Sequence, residues 1–164
     1  HDPFVAGELF DEWISAYRHG MLILNVKEEG LEARLIALMQ STGIADYFFL
    51  DQSFPFLVKL AKAGERRCAA RVSEFESIET ALTLAGKVDW VWVDCFTRFP
   101  LSKQDAARLK DAEFKLCLVS PELQGRDADI EIPQLASLLK ERNIVADAVC
   151  TKRPDLWEKT VASR

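Results

Sequence analysis

The stretch MLILNVK, residues 21–27, decides the fold: it is a short apolar run that ends in polar residues. Successive side chains of a strand point to opposite faces, so Ile23, Asn25 and Lys27 share one face and the intervening apolar residues share the other. A strand that is apolar on both faces is typical of a parallel sheet covered by helices. We therefore predict that the intervening residues meet helices, while Asn25 and Lys27 point toward an open end of the fold.

Five more apolar runs of this kind follow, each separated from the next by an amphipathic segment of helical period. Strict alternation of strand and helix predicts an α/β protein with a parallel sheet. Together with Met21–Val26, the runs make six candidate strands; the other five are Tyr47–Leu50, Cys68–Val72, Trp90–Phe96, Lys115–Val119 and Ala146–Cys150.

The segments between the runs carry signals for helix starts. Ser77 can cap a short helix, and Ser102 with Asp105 resembles a capping box. Pro133 is predicted to start a later helix, because proline is tolerated in the first helical turn.

Polar residues recur at the carboxyl ends of nearly all six candidate strands. An open doubly wound sheet gathers its ligand groups near one switch point, whereas a closed barrel gathers them around the whole rim. The chain also has no glycine-rich phosphate loop. We predict an incomplete (β/α)-barrel of the TIM type, with about six of eight β/α units, that forms one partial domain over residues 1–164 and begins after the first strands. The rim residues are Asn25, Lys27, Asp51, Arg71, Ser73, Asp94, Ser120, Glu122 and Thr151.

The composition argues against several classes of function. A net charge of −5 disfavours non-specific binding to nucleic acid or to a membrane surface. No apolar stretch approaches the roughly 18 residues that a membrane span needs. The four cysteines lie in apolar runs without metal-binding or redox spacing, so we expect reduced thiols in a cytoplasmic protein.

Lys27 and Arg71 are the candidate anion-binding residues. A lysine at a barrel mouth is costly unless it meets an anion, but Lys27 could also mark the strand end and reach solvent. Arg71, followed by Ser73, could bind a phosphate or carboxylate. An equally good alternative is a salt bridge from Arg71 to Asp51 or Asp94 that holds neighbouring strand ends together.

Glu122, which follows Ser120 at the rim, could ligate a metal, bind a substrate hydroxyl, or be the first-turn carboxylate of a loop helix. The sequence supports different interpretations of the two histidines. His19 lies beside Gly20, where a first amphipathic helix is predicted to end, and we interpret it as structural because the helix dipole favours positive charge there. Two interpretations of His1 stay open: it is a residue left by a tag, or it is a functional residue.

In the order of these residues and short motifs, the chain resembles the glycerophosphodiester phosphodiesterase family. The resemblance extends over essentially the whole chain and depends on the order of short motifs. It is similar to a divergent branch in which an Asn-x-Lys motif precedes a Ser-Pro-Glu-Leu segment. The corresponding pieces are His1-Asp2, residues 24–27, residues 51–54, residues 120–123 and residues 150–155.

The resemblance implies a chemistry for several residues. The family uses two histidines as general acid and base, and His1 matches the second of them. A divalent cation, Mg²⁺ or Ca²⁺, polarises the phosphodiester; Asn25 stands where the family has a metal-binding glutamate, which implies weaker binding. Lys27 matches a lysine that balances phosphate charge. The family's strands with His-Arg-Gly and Glu-x-Asp, which supply the other histidine and two carboxylates, have no counterpart here.

Two functions follow from these observations. One is a hydrolase that acts on a small phosphodiester, with Lys27 and His1 catalytic and with Arg71, Asp51, Asp94, Ser120 and Glu122 binding the substrate. The other is a catalytically inactive barrel that binds a phosphorylated ligand or a protein partner. An incomplete barrel leaves the edges of its first and last strands unpaired, so we also expect either upstream residues or a homodimer to cover them.

Overall fold

The structure is a computed structural model that describes residues 7–162 and the side chains of residues 7–160. Strands and helices alternate as the sequence predicts. In chain order the elements are α1 (Phe10–Ser15), β1 (Leu22–Asn25), α2 (Glu32–Thr42), β2 (Tyr47–Leu50), α3 (Phe54–Lys62), β3 (Ala69–Val72), α4 (Ile78–Leu82), β4 (Trp90–Val93), α5 (Lys103–Asp111), β5 (Lys115–Val119), a 3₁₀ turn (Pro121–Gln124), α6 (Ala128–Glu141), β6 (Ala148–Cys150) and α7 (Pro154–Ala162).

Every strand pair is parallel and joins strands that are neighbours in the sequence. β1 pairs with β2, and β3, β4, β5 and β6 form a continuous ladder in that order. The two sheets are joined by a parallel bridge between Phe49 and Cys68. The chain is therefore an α/β protein with parallel sheets, as predicted.

The two faces of the strands are covered differently. One face packs into a large core to which all seven helices contribute, and Leu22, Leu24 and Val26 lie in it as the alternation predicts. The opposite face forms a second core built from strand residues together with Met21 and Leu123; it contains Ile23 and a stacked pair, Phe48 and Trp90, with ring centroids 4.8 Å apart. Among the described residues, the helices thus lie on one side of the strands.

The predicted caps of two helices are confirmed. The Ser77 side chain accepts a hydrogen bond from the Glu79 amide at the start of α4. At the start of α5, Ser102 and Asp105 form the complete capping box, in which each side chain accepts from the backbone amide of the other.

Two predicted helix boundaries are wrong. Pro133 lies inside α6 and does not start it, because Asp127 caps the helix earlier by accepting from the amides of Asp129 and Ile130. The first helix ends at Ser15 and not at Gly20, so His19 lies beyond the reach of the helix dipole.

The cysteines fit their interpretation as small apolar residues. All four are free, and Cys68, Cys95 and Cys117 are buried. Burial raises the pKa of both Cys68 and Cys117 to about 12, so neither thiol ionises near neutral pH. Among the described residues, no helix is both long and apolar enough to cross a membrane.

Candidate functional site

A cavity of about 670 Å³ opens where β1, β2 and β3 end, and we call it the rim cavity. It lies beside the place where β2 and β3 separate after their single bridge. The loops that follow the three strands supply its walls, which places polar side chains at the carboxyl ends of parallel strands. Its polar lining includes Lys27, Glu32, Asp51, Gln52, Arg71 and Glu76.

A chain of ion pairs runs across this cavity. Asp51 accepts from Lys27 through Oδ2 and from Arg71 Nη1 through Oδ1, the latter at 3.4 Å. Arg71 Nε also donates to Glu76 Oε1 at 3.1 Å, and its Nη1 lies 3.9 Å from Asp94 Oδ2. The salt-bridge alternative for Arg71 is therefore realised with both predicted partners, and Lys27 is paired as well.

The two cations of the rim cavity keep donors for a further ligand. The side chains of Lys27 and Arg71 are 49% and 40% exposed. Within residues 7–162, Arg71 Nη2 donates no hydrogen bond, and the Lys27 ammonium has three donors but bonds only Asp51. Asp51 itself is 17% exposed, but ion pairs whose cations are this exposed contribute only about 0–1 kcal/mol, so an incoming anion can displace Asp51 at little cost.

Asp51 has an unusual backbone conformation. Its φ of 62° lies in the left-handed region, which aspartate tolerates better than most residues. The conformation falls directly after β2, where the ladder with β3 has ended. It places the Asp51 carboxylate between the ends of the two sheets, within reach of Lys27 from one sheet and Arg71 from the other.

Asp94 is buried and bound by protein donors. Its Oδ1 accepts from the Cys95 amide at 3.0 Å and from Gln124 Nε2 at 2.7 Å. These bonds tie the end of β4 to the 3₁₀ turn. Asp94 therefore lies near the Arg71 guanidinium, and it is not among the residues that line the rim cavity.

Ser120 and Glu122 form a separate hydrogen-bonded group, the Glu122 clasp. Glu122 accepts from the Ser120 hydroxyl, from Thr151 Oγ1 at 2.6 Å and from the Lys152 amide at 2.9 Å. Ser120 Oγ also accepts from Trp157 Nε1 at 2.8 Å. Burial raises the pKa of Glu122, but these hydrogen bonds outweigh burial and hold it below the ordinary value.

The Glu122 clasp joins the ends of β5 and β6 to α7, outside the lining of the rim cavity. Its donors come from the protein itself, which gives Ser120 and Glu122 a structural role. Their predicted contact with substrate stays a prediction.

The described residues do not by themselves fit a divalent cation. Within residues 7–162 no group of three or more histidine, cysteine, aspartate or glutamate side chains could hold a metal ion. Asn25 is exposed at the end of β1, and Asp51, the carboxylate that follows the paired strand β2, is engaged by two cations. His1 lies outside the described residues, so its predicted role and that of the metal stay predictions.

Sequence reasoning missed part of the rim. Glu76 holds Arg71, and Glu32 is buried in the cavity wall, where it accepts from the Gly30 amide and from Gln52 Nε2, both at 3.1 Å. The only signal for Glu76 was its position shortly after the strand that carries Arg71. Glu32 resembled an ordinary first-turn carboxylate of α2, which gave no hint of its burial.

The fold and the rim cavity define a parallel α/β protein with a charged cavity at the strand ends. Comparison with models of known protein families finds no match to this chain, and comparison with curated proteins finds no significant match.

Proposed function

We propose that this chain is part of a (β/α)-barrel phosphodiesterase similar to the glycerophosphodiester phosphodiesterases, and that the rim cavity binds the phosphodiester. The observation that carries the proposal is the convergence of Lys27 and Arg71 on Asp51 at the ends of successive parallel strands. The barrel is supported by strands that neighbour one another in sequence order and by helices on one face, because an open doubly wound sheet carries helices on both.

In this proposal Lys27 and Arg71 bind the non-bridging oxygens of the phosphodiester. The anion replaces Asp51 as their partner, while Glu76 and Asp94 keep the guanidinium of Arg71 in place. Both cations stabilise the negative charge that develops when water or a substrate hydroxyl attacks phosphorus and the bond to the leaving alcohol breaks. By the resemblance, His1 is one of the two histidines that together take the proton from the attacking oxygen and give one to the leaving oxygen.

The charge of the cavity favours a diester over a monoester. Five carboxylates line it, Glu28, Glu29, Glu32, Asp51 and Glu76, against the two cations Lys27 and Arg71. A phosphodiester carries one negative charge and a phosphomonoester nearly two, so the surplus of carboxylates repels the monoester more strongly.

The direct test uses the purified protein with a panel of glycerophosphodiesters and with Mg²⁺ or Ca²⁺. We expect metal-dependent release of glycerol phosphate that is abolished by His1→Ala and reduced about 100-fold or more by Arg71→Gln, which loses about 3 kcal/mol of transition-state stabilisation. Ser137→Ala, a change in the middle of α6 and away from the cavity, is the control. Absence of release with every substrate and metal would rule out the hydrolase.

A second function is favoured by Asn25 and by the lack of a cation-holding group among the described residues. In that case the rim cavity binds a phosphorylated ligand without turnover. Binding of dimethyl phosphate that is weakened by Arg71→Gln, in a protein that hydrolyses no diester with any metal, would establish this alternative.

We also propose a homodimer. Within residues 7–162, β1 pairs only with β2 and β6 only with β5, so each presents one edge of unpaired backbone groups. A second copy in the cytoplasm, where the four thiols would stay reduced, can cover them. Sedimentation as a monomer at micromolar concentration would contradict this.

A further inference from the structure

Three exposed phenylalanines lie in or beside the lining of the rim cavity. Phe54 begins α3, Phe75 lies between β3 and α4, and Phe96 follows β4. Phe54 and Phe75 line the cavity, and the ring centroids of Phe75 and Phe96 are 5.9 Å apart. We call these three residues the rim aromatic patch.

The most exposed member, Phe75 at 80%, sits on a tightly bonded turn. Residues 73–76 close on themselves: the Ser73 amide donates to the Glu76 carbonyl at 3.1 Å, and the Glu76 amide donates to the Ser73 carbonyl at 3.3 Å. The Phe75 amide donates to Ser73 Oγ at 3.1 Å, and that hydroxyl donates to Glu76 Oε2 at 2.8 Å. The turn thus fixes Phe75 and also supplies Glu76 to Arg71.

A second set of bonds holds the turn against the next loop. The Glu74 carboxylate accepts from the amides of Thr97 and Arg98, both at 2.6 Å, and from the Phe96 amide at 3.2 Å. Since Glu74 precedes Phe75 and binds the backbone that carries Phe96, these bonds bring the two rings close to each other. The rim aromatic patch is preorganised, so a ligand that contacts it pays little ordering entropy.

A solvent-exposed aromatic cluster beside two cations is complementary to a ligand that has both an anionic group and an apolar group. An apolar group that leaves water against these rings gains roughly 25 cal/mol per Å² of buried area. A lipid surface is a poor occupant, because Glu28, Glu29 and Glu76 line the same cavity and the chain carries a net charge of −5.

We propose that the rim aromatic patch binds an apolar substituent, acyl or aryl, on the alcohol of the phosphodiester that Lys27 and Arg71 hold. This proposal rests on the proposed function and adds the substrate class to it. Lys27 and Arg71 take the phosphate inside the cavity, and the patch takes the apolar group at its mouth.

The test compares two monoanionic probes, dimethyl phosphate and methyl octyl phosphate, below the concentration at which the latter forms micelles. Titration calorimetry on the whole protein is expected to show methyl octyl phosphate binding about tenfold or more tightly than dimethyl phosphate. Phe75→Ser is expected to remove most of that difference, and Phe75→Leu to keep most of it. Ile130→Ser, a change of an exposed apolar residue on α6, is the matched control and should leave both affinities unchanged.

Arg71→Gln separates this proposal from the proposed function, since it should weaken both probes by the same factor. If neither probe binds the unmodified protein, the proposed function fails and this inference with it. If both probes bind equally well, only this inference fails. Phe75→Ser that lowers binding to neutral phosphatidylcholine vesicles, but not to monomeric methyl octyl phosphate, would overturn it in favour of a lipid surface.

Discussion

The rim at β1–β3 and the rim at β5–β6 look alike in the sequence and differ in the structure. Both consist of apolar strands followed by polar side chains. At β5–β6, Glu122 accepts hydrogen bonds from Ser120, Thr151 and the Lys152 amide. Trp157 of α7 donates a further hydrogen bond to Ser120. At β1–β3, Lys27 and Arg71 share Asp51, remain about half exposed and face a cavity.

The difference teaches how to separate structural from functional polar residues. A polar group whose donors and acceptors are all taken by the protein stabilises the fold and offers nothing to a ligand. A group with unused donors at a cavity contributes little stability and is available for binding. Three substitutions test this contrast, and their expected effect on stability falls in the order Glu122→Gln, Glu74→Gln and Asp51→Asn.

Glu122→Gln should be the most destabilising of the three changes. The amide keeps the shape but loses the charge, and one of its atoms becomes a donor facing other donors, so we expect a loss of about 2 kcal/mol in the free energy of unfolding. Urea denaturation at pH 7 measures it, with the exposed Glu141→Gln as control. Equal stability of the two variants would show that the Glu122 clasp is not structural.

The Glu122 carboxylate should also make the stability of the fold depend on pH. The pKa of Glu122 is lower in the folded protein than the ordinary value of 4.5, so its stabilisation is complete above pH 4.5 and is lost as pH falls through the folded-state pKa. Glu122→Gln should therefore flatten the decline of stability in acid. An unchanged acid profile would contradict the hydrogen-bonded carboxylate.

Glu74→Gln should have an intermediate effect of about 1 kcal/mol, because it weakens charge-assisted bonds to backbone amides. Burial raises the pKa of Glu74, but the amides of Arg98 and Thr97 outweigh burial and lower it to about 2. The stabilisation is therefore present above pH 4.5 and fades between pH 4.5 and about 2. Thermal unfolding across this range, with Glu8→Gln as control, tests the prediction; a normal Glu74 titration by NMR would refute it.

Asp51→Asn should change stability least, by about 0.5 kcal/mol, because the two cations that Asp51 binds are 49% and 40% exposed and asparagine keeps the shape of the side chain. Removing the competing carboxylate should instead tighten the binding of dimethyl phosphate about threefold, since among the described residues Lys27 then has no protein anion to compete and Arg71 keeps only Glu76 and Asp94. Calorimetric titration measures this, and Asp46→Asn, just before β2, is the control. Weaker binding in Asp51→Asn would mean that Asp51 contacts the ligand directly.

The strands could be predicted because their signal is local. Runs such as 47–50 and 115–119 are apolar on both faces and too short for helices, and the structure places strands there. Alternation within the strands also placed Lys27, Asp51 and Arg71 together, since parallel strands end at one edge. Pro133 misled the prediction because the stronger start signal, the Asp127 cap, lies six residues earlier.

The rest of the site could not be predicted because it depends on loop geometry. Nothing local shows that Glu74 reaches the amides of Thr97 and Arg98, more than 20 residues away. Phe75 is one apolar residue in a polar stretch of the sequence, and nothing local shows that a bonded turn holds it beside Phe96.

The sequence by itself determined the alternation of strand and helix and the face on which each strand residue lies, because hydrophobic periodicity acts over a few residues. Only the tertiary structure decided which rim residues are bound by the protein, such as Glu122, and which keep donors for a ligand, such as Arg71. The reason is physical: whether a polar group is satisfied depends on partners that folding brings from distant segments, and sequence spacing does not encode their distances.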